Sequence, residues 1–133
     1  MSVAIGSAAE RVDAHDKVTG QAFFPGDLVR PDMLHMKILF AGRPHAQMRS
    51  IDTSKAQAYP GVTAVFTAAD VPVNEYGLLN PDQPALVGIG SDNLGADVAR
   101  FVGDQVALVV AETEDAAAAA RELSRWTGSV CRC

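Results

Sequence analysis

The amino-acid sequence predicts an α+β fold, a mixed sheet with short helices, and three observations support this class. Val106–Ala111 is a continuous run of β-branched and aliphatic residues, which is typical of a strand buried on both faces. Thr113, followed by Glu114 and Asp115, is suited to begin a helix, because a hydroxyl can cap the first N–H groups and acidic side chains favour the positive end of the dipole. The other elements follow no strict strand–helix–strand repeat, which favours α+β over a doubly wound α/β fold.

The remaining elements are predicted from alternation, β-branched content and the positions of glycine and proline. The predicted strands are Gln21–Phe24, Leu34–Phe40, Val62–Thr67 and Val98–Ala111, the last broken at Gly103, and the predicted short helices are Lys55–Tyr59 and one turn in Thr67–Val71. In the second strand the alternation predicts one buried apolar face. That face consists of Leu34, Met36, Ile38 and Phe40, and His35 and Lys37 lie opposite. Residues 73–97 show no sustained periodicity, and such a segment inside a compact domain is usually functional or packed against a neighbour.

The composition argues against several classes of function. With 133 residues, 48% of them hydrophobic and 20% charged, the chain is long enough for one globular domain. A formal net charge of −5 and the lack of a Lys/Arg cluster argue against nucleic-acid binding, because phosphates require clustered cations. The apolar runs are far shorter than the ~20 residues that a membrane-spanning helix needs, and no signal peptide is recognisable. Cys131 and Cys133 are the only cysteines, so the rest of the chain is compatible with a reducing cytoplasm.

Three groups of residues suggest a functional site, but none matches a known pattern. The groups are His15, His35 and His45 as metal ligands, Asp13, Asp16 and Lys17 as acid–base residues, and Gly88, Gly90, Ser91 and Gly95 as a phosphate loop. The histidines lack zinc-site spacing, and a polar turn seldom shifts the pKa of its carboxylates. The glycines lack the Gly-Lys-Ser/Thr motif, and neither Ser54 nor Ser91 lies in a nucleophile elbow. We therefore assign no catalytic, cofactor-binding or metal-ligating residue and expect solvated or structural roles for these groups.

Five segments of the sequence occur in an order that is found in one known family. They are Arg11-Val-Asp with Lys17-Val-Thr-Gly20, Leu34-His with Pro44-His-Ala46, Ser50-Ile-Asp-Thr-Ser54, Pro60-Gly-Val with Thr67-Ala-Ala-Asp-Val-Pro72, and Phe101-Val-Gly103 with Val106-Ala and Val109-Val-Ala111. Together they resemble the α/β-hammerhead domain that opens the molybdenum-binding large subunit of the xanthine dehydrogenase and aldehyde oxidase family. The resemblance covers Arg11–Leu123 and departs from the family at Asp104-Gln105, where relatives often have Gln-Pro.

The resemblance implies an oxidoreductase whose chemistry lies outside this segment. Enzymes of the family hydroxylate aldehydes or N-heterocycles at a molybdopterin-bound molybdenum, and the electrons leave through 2Fe-2S clusters to FAD or another acceptor. The family's cofactor contacts and catalytic glutamate lie in the large domains after the hammerhead, so no catalytic residue is carried over. The chain is thus expected to be an N-terminal fragment of the large subunit with a structural or assembly role, inactive alone. The implied partners are the molybdopterin domains and the iron–sulfur and flavin subunits, in the cytoplasm.

Two other functions stay open at this point. One is a stand-alone binding or assembly module that docks onto separate molybdopterin or flavin subunits. The other, which has less support, is a small metal-dependent enzyme. The reading frame downstream of the chain and a metal analysis of the purified chain would separate these possibilities.

The final residues, 124–133, differ in pattern from the rest of the chain. They follow neither helical nor strand periodicity, whereas relatives continue with a strand of the type Ile-Glu-Val-Asp/Glu. One base restored before codon 124 lets the tail be read as Ile-Glu-Val-Asp-Trp-Glu-Cys-Leu-Pro-Leu, although the genetic code forces only the aspartate. We therefore expect a loose lead-in at 1–10, a hammerhead domain at 11–123 and a frameshifted tail at 124–133; a genuine short protein with a disordered terminus is the alternative. Loss of the last strand would expose a sheet edge, which predicts a homo-oligomer.

Overall fold

A computed structural model of the chain describes residue 6 and residues 8–131. The chain divides into two compact units, Met1–Pro31 and Asp32–Cys133. Most of the predicted lead-in at 1–10 lies outside the described residues, as do residues 132 and 133. The sheets that define the fold class both belong to the second unit.

The first unit contains a short helix that the sequence pattern did not predict. Helix α1 (Ala14–Thr19) ends at Gly20, which adopts the left-handed conformation with φ 74°. The backbone N–H groups of Gln21 and Ala22 both donate to the Asp16 carbonyl, at 2.8 and 2.9 Å. The predicted strand at 21–24 is therefore wrong, because these hydrogen bonds fold the segment back onto α1.

Among its described residues, the second unit forms two three-stranded antiparallel sheets. Its strands are β1 (His35–Phe40), β2 (Ala46–Asp52), β3 (Val62–Thr67), β4 (Val98–Ala99), β5 (Gln105–Ala111) and β6 (Arg125–Val130). Its helices are α2 (Ser54–Gln57) and α3 (Glu114–Leu123), and a 3-10 turn spans Ala68–Asp70. The first sheet has the order β1-β5-β3 and the second the order β4-β2-β6. The α+β class is confirmed, with the strands divided between two antiparallel sheets instead of one mixed sheet.

Two turns send the chain from one sheet to the other. Between β1 and β2, Gly42 and His45 adopt positive φ angles of 66° and 45°, and the chain passes from the first sheet into the second, so these two strands do not pair with each other. Between β4 and β5, the Asp104 carboxylate accepts a hydrogen bond of 2.6 Å from the backbone N–H of Arg100. This turn divides the predicted strand at 98–111 between the two sheets.

Helix α3 covers one face of the first sheet. It begins as predicted, with the Thr113 hydroxyl accepting a hydrogen bond of 3.2 Å from the Ala116 N–H. The core between α3 and the sheet consists of Ala56, Val65, Val109 and Ala120, with Tyr59 and Val62 packed against it. No helix among the described residues is both long and apolar enough to cross a membrane.

A second core joins the two sheets. Val106 of β5 and Met48 of β2 are buried in one cluster with Ala41, Val87 and Ala99. Val106 is fully buried, and Met48 is 3% exposed. Because this cluster draws one residue or more from each sheet, it fixes the second sheet against one end of the first.

The exposed face of β1 differs from the prediction. Three of the four residues expected to be buried are largely exposed, at 47% for Leu34, 53% for Met36 and 48% for Phe40, whereas Ile38 is half-buried. On the opposite face the Lys37 ammonium lies 2.5 Å from the Glu114 carboxylate of α3. The prediction of a buried face is therefore wrong within this chain, because α3 packs on the other side of the sheet.

The tail forms a strand, although its sequence does not alternate. β6 pairs antiparallel with β2, with Trp126 opposite Ile51. Trp126 also donates a hydrogen bond of 3.2 Å to the Ala41 carbonyl, and the Arg43 guanidinium lies 4.8 Å from its ring centroid. Any sequence without proline supplies backbone N–H and C=O groups to a sheet edge, which explains this pairing without an alternating pattern. The expectations of an irregular tail and of an open edge left by a missing strand are thus wrong here, since β2 lies between β4 and β6.

Candidate functional site

The acidic cluster of the first unit forms ion pairs. The Asp13 carboxylate lies 2.6 Å from the Lys17 ammonium and 3.1 Å from Nη2 of Arg11. Hydrogen bonds from Lys17 and, to a lesser extent, from Arg11 hold the pKa of Asp13 below its ordinary value. A carboxylate with a lowered pKa stays ionised near neutral pH and is poorly suited to exchange a proton there. This geometry favours a structural role for the cluster.

The three histidines each occupy a local structural position. His15 is exposed in α1, with Nδ1 3.5 Å from the Asp16 carboxylate. His35 begins β1, and His45 lies in the turn after it, where its carbonyl accepts a hydrogen bond of 2.8 Å from the Cys131 N–H. Within the part of the chain that the structure describes, no group of three or more His, Cys, Asp or Glu side chains is placed to hold a metal ion.

Two of the three glycines of the suspected phosphate loop, Gly88 and Gly90, are explained by close packing. A Cβ at Gly88 would lie 2.9 Å from the Cβ of Ala68, and one at Gly90 would lie 2.8 Å from the Cβ of Ala69. The Gly88 N–H already donates to the Ala96 carbonyl at 2.8 Å. Glycine is therefore required here so that the loop can approach the 3-10 turn at 68–70, and phosphate binding is not needed to explain it.

Asn74 organises the long segment 73–97, and the sequence pattern did not single it out. Its side chain is buried; its amide nitrogen donates to the Leu86 carbonyl at 2.7 Å, and its amide oxygen accepts from the Leu86 N–H at 2.8 Å. The Asn93 side chain in turn donates to the Asn74 carbonyl at 3.1 Å. These partners lie 12 and 19 positions away, so no local sequence signal distinguishes Asn74 from an ordinary turn residue.

A polar cavity of about 280 Å³ lies beside this segment. Its lining includes Tyr76, Asp82, Arg100 and Asp104. Two carboxylates face one guanidinium, so the anionic phosphate of molybdopterin, the cofactor that the resemblance implies, does not fit this cavity. We derive no reaction step through that cofactor on this chain.

An apolar groove of about 480 Å³ lies on the first sheet, on the face opposite α3. Strand residues Phe66 and Leu108 form its floor, and its walls include Val71, Pro72, Tyr76 and Leu86. The Asp70 carboxylate at its margin accepts a hydrogen bond of 2.7 Å from the Thr67 N–H. The groove can therefore receive an apolar surface.

Comparison with protein families gives a match that covers most of the chain. Residues 19–125 match the model of the aldehyde oxidase and xanthine dehydrogenase, a/b hammerhead domain. The chain is 45% identical over 114 residues to a probable xanthine dehydrogenase subunit of Bacillus subtilis, covering 85% of this chain and 14% of that protein. It is 38% identical over 112 residues to the nicotinate dehydrogenase large molybdopterin subunit of Eubacterium barkeri, covering 84% of this chain and 24% of that subunit.

Solved structures give the same result. CO dehydrogenase from Oligotropha carboxidovorans superposes with a TM-score of 0.79 at 32% identity, covering 95% of this chain and 15% of that chain. The aldehyde oxidoreductase from Desulfovibrio desulfuricans superposes with a TM-score of 0.78 at 34% identity, covering 96% of this chain and 15% of that chain. Both the sequence and the fold of this chain thus correspond to a small part of much larger chains.

Proposed function

We propose a structural and assembly role for this chain, which belongs to the aldehyde oxidase and xanthine dehydrogenase family through its a/b hammerhead domain. Its relatives are large subunits of molybdenum hydroxylases, and the chain spans only 14% of the length of the Bacillus relative. In this proposal the chain is the hammerhead part of such a subunit and has no catalytic residue of its own. The observation that carries the proposal is the largely apolar groove and exposed face of the first sheet, which suit packing against another surface.

The chemistry of the parent enzyme is proposed to lie in other domains. By family, a molybdopterin-bound molybdenum would be held by the rest of the large subunit, and 2Fe-2S clusters and FAD by partner domains or subunits. When bound, the molybdenum centre would supply the oxidative hydroxylation of an aldehyde or an N-heterocycle. We place the assembled enzyme in the cytoplasm. Residues 1–130 contain no cysteine, which is compatible with a reducing compartment.

A segment exchange tests the structural role. In the Bacillus subunit, the segment that this chain matches is replaced by residues 10–123 of this chain, and molybdenum per subunit and xanthine oxidation are measured. The chimera is expected to bind molybdenum and to retain activity, because the exchanged segment would supply packing surfaces and no reacting group. A subunit without the segment serves as the control. A soluble chimera that contains no more molybdenum than this control would contradict the proposal.

The stand-alone module is the alternative, and binding in trans separates the two functions. A separate docking module is expected to bind the intact Bacillus subunit, which already has its own hammerhead segment. A structural part of the subunit is not expected to bind it, because the position is occupied. Stoichiometric molybdenum or zinc in the purified 133-residue chain would overturn both and favour a small metal-dependent enzyme.

We further propose that residues 124–133 are translated from a shifted reading frame. The family match ends at residue 125, and the hydroxyl of Ser124 is buried without a hydrogen-bond partner. Positions 124, 126 and 128 are less exposed than 125 and 127, so the restored Ile-Glu-Val-Asp-Trp would direct each apolar side chain inward. A tryptophan at 128 would require β6 to move away from β2, because a Cβ on Gly128 would lie 2.1 Å from the Gln47 carbonyl oxygen.

The gene itself tests the frame. The genomic DNA after codon 123 is expected to encode molybdopterin-domain sequence once one base is restored. If no such reading frame lies downstream, this proposal is wrong, and β6 is the natural end of the hammerhead sheet.

The purified chain is also proposed to self-associate. The open edge expected at β2 does not support this, since β6 occupies it. The support comes instead from apolar side chains at the surface, above all Leu78 and Leu79, which are 104% and 95% exposed. Adjacent exposed leucines favour association because contact between copies removes their apolar surface from water.

A further inference from the structure

Six apolar side chains lie in two rows across the first sheet. The register places Met36 beside Val110 and Val110 beside Ala64, and it places Ile38 beside Leu108 and Leu108 beside Phe66. Side chains alternate along a strand, and Val65 and Val109 pack in the core under α3, so these six lie on the opposite face. We call this surface the apolar face; it consists of Met36, Ile38, Ala64, Phe66, Leu108 and Val110.

The apolar face is unusually exposed to solvent for a surface that consists only of apolar side chains. Met36 is 53% exposed and Phe66 is 43% exposed, and the other four side chains are half-buried. An antiparallel sheet with one face in water normally alternates apolar and polar residues, so the wet face is polar. Here both faces are apolar. The alternation of β1 predicts burial of Met36 and Ile38, yet Met36 is largely exposed and Ile38 is only half-buried. This difference indicates that a surface outside the described residues covers them.

The apolar groove extends this face toward the long segment 73–97. Phe66 and Leu108 belong to both, and Val71, Pro72 and Leu86 continue the apolar surface on the far side. No ionisable side chain lies among the six residues of the apolar face. A partner must therefore present an apolar surface of its own, because a charged one would be desolvated without compensation.

We infer that the apolar face is the surface on which the remaining part of the large subunit packs. All six residues lie within residues 19–125, the part of the chain that matches the family. The chain spans 14% of the Bacillus subunit and 15% of the CO dehydrogenase chain, so most of each subunit lies outside the matching segment and is available to cover the face. This inference rests on the proposed function and adds to it the site of contact.

Methionine oxidation tests the inference, because Met36 lies on the apolar face and Met48 lies in the core. The isolated 133-residue chain and the full-length chimera with the Bacillus subunit are treated with hydrogen peroxide at the same low concentration, and sulfoxide is measured by mass spectrometry. Met36 is expected to react readily in the isolated chain and about tenfold more slowly in the chimera, while Met48, at 3% exposure, reacts slowly in both. A Glu122→Met reporter on α3, the opposite side of the sheet, calibrates general protection.

A substitution adds a readout that does not depend on methionine. Phe66→Glu is expected to lower the unfolding midpoint of the isolated chain only slightly, because 43% of the side chain is already in water. In the chimera it is expected to lower molybdenum content and soluble yield several-fold. The inference is wrong if the Phe66→Glu and unsubstituted chimeras contain equal molybdenum and Met36 is equally reactive in the chimera and in the isolated chain. The proposed function would not be affected by that result.

Two further outcomes are informative. If the unsubstituted chimera takes up no molybdenum, the proposed function itself fails. If Met36 is protected in the isolated chain even at high dilution, the chain covers its own face and the inference is wrong. If Met36 of the isolated chain is protected only at high protein concentration, a second copy of the chain covers the apolar face there. The inference then holds only if Met36 is protected in the chimera at a dilution at which Met36 of the isolated chain still reacts.

Discussion

Ser124 joins α3 to β6, and its hydroxyl is the buried side-chain oxygen without a hydrogen-bond partner among the described residues. The residue is 3% exposed. Removing an unsatisfied buried hydroxyl relieves its desolvation cost, so Ser124→Ala is expected to raise the free energy of unfolding by about 1 kcal/mol. Urea unfolding followed by circular dichroism measures this.

Ser50→Ala is the matched control, since the Ser50 hydroxyl is exposed and lies 2.6 Å from the hydroxyl of Thr127. That substitution is expected to leave stability unchanged or to lower it slightly. A loss of stability in Ser124→Ala would indicate that the hydroxyl is satisfied, and it would remove one support for the shifted reading frame.

The ion pair between Lys37 and Glu114 determines part of the acid response of the chain. The hydrogen bond from Lys37, with its charge, holds the pKa of Glu114 below its ordinary value. The folded pKa is thus lower than the unfolded one of about 4.3. The resulting stability is present above that unfolded pKa and is lost as the pH falls through the folded pKa.

Lys37→Gln is expected to raise the pKa of Glu114 toward its ordinary value and to reduce this loss of stability in acid. Carboxyl resonances followed by NMR during a pH titration measure the shift. The pKa of Asp13 should not change, because its partners are Lys17 and Arg11. An unchanged pKa of Glu114 would contradict the assigned cause.

At the scale of elements, the close contact between Gly88 of the glycine loop and Ala68 of the 3-10 turn can be tested by substitution. Gly88→Ala places a Cβ 2.9 Å from the Cβ of Ala68, which is buried. Overpacking of this kind costs about 1–3 kcal/mol, so a drop in the free energy of unfolding of that size is expected. The double variant Gly88→Ala, Ala68→Gly should recover part of the loss, since the clash is gone.

Gly103→Ala is the control for this cycle, because a Cβ at that position has no neighbour within 4 Å. It is expected to unfold close to the unsubstituted chain. Additive effects of the Gly88 and Ala68 substitutions would contradict the contact, because coupling is the signature of a shared clash.

The elements that could be predicted from the sequence are those whose signals are local. Helix α3 has its capping residue, acidic first turn and alanines within eleven residues, and β5 is one apolar run. β6 could not be predicted, because the hydrogen bonds that define it come from β2, far away in the chain. Asn74 was missed for the same reason, and the orientation of β1 depends on the side of the sheet that α3 covers. The candidate site, the apolar groove and face of the first sheet, could not be predicted either. A packing surface is formed by residues that are distant in the chain, so it has no short sequence motif.

For the molecule as a whole, the surface predicts how the isolated chain behaves in solution. Leu78 and Leu79 are adjacent, almost fully exposed, and next to Tyr76, which is 57% exposed. Single exposed leucines such as Leu94, at 97%, are ordinary, whereas adjacent ones form a patch that favours association. Sedimentation velocity is therefore expected to show a mass that increases with protein concentration and with added sulfate, which strengthens apolar contacts. Leu78→Asn with Leu79→Asn should weaken this association, and Leu94→Asn should not, because only the pair presents contiguous apolar area. A monomer at high concentration by light scattering would contradict self-association, and equal association of both variants would place the contact elsewhere on the surface.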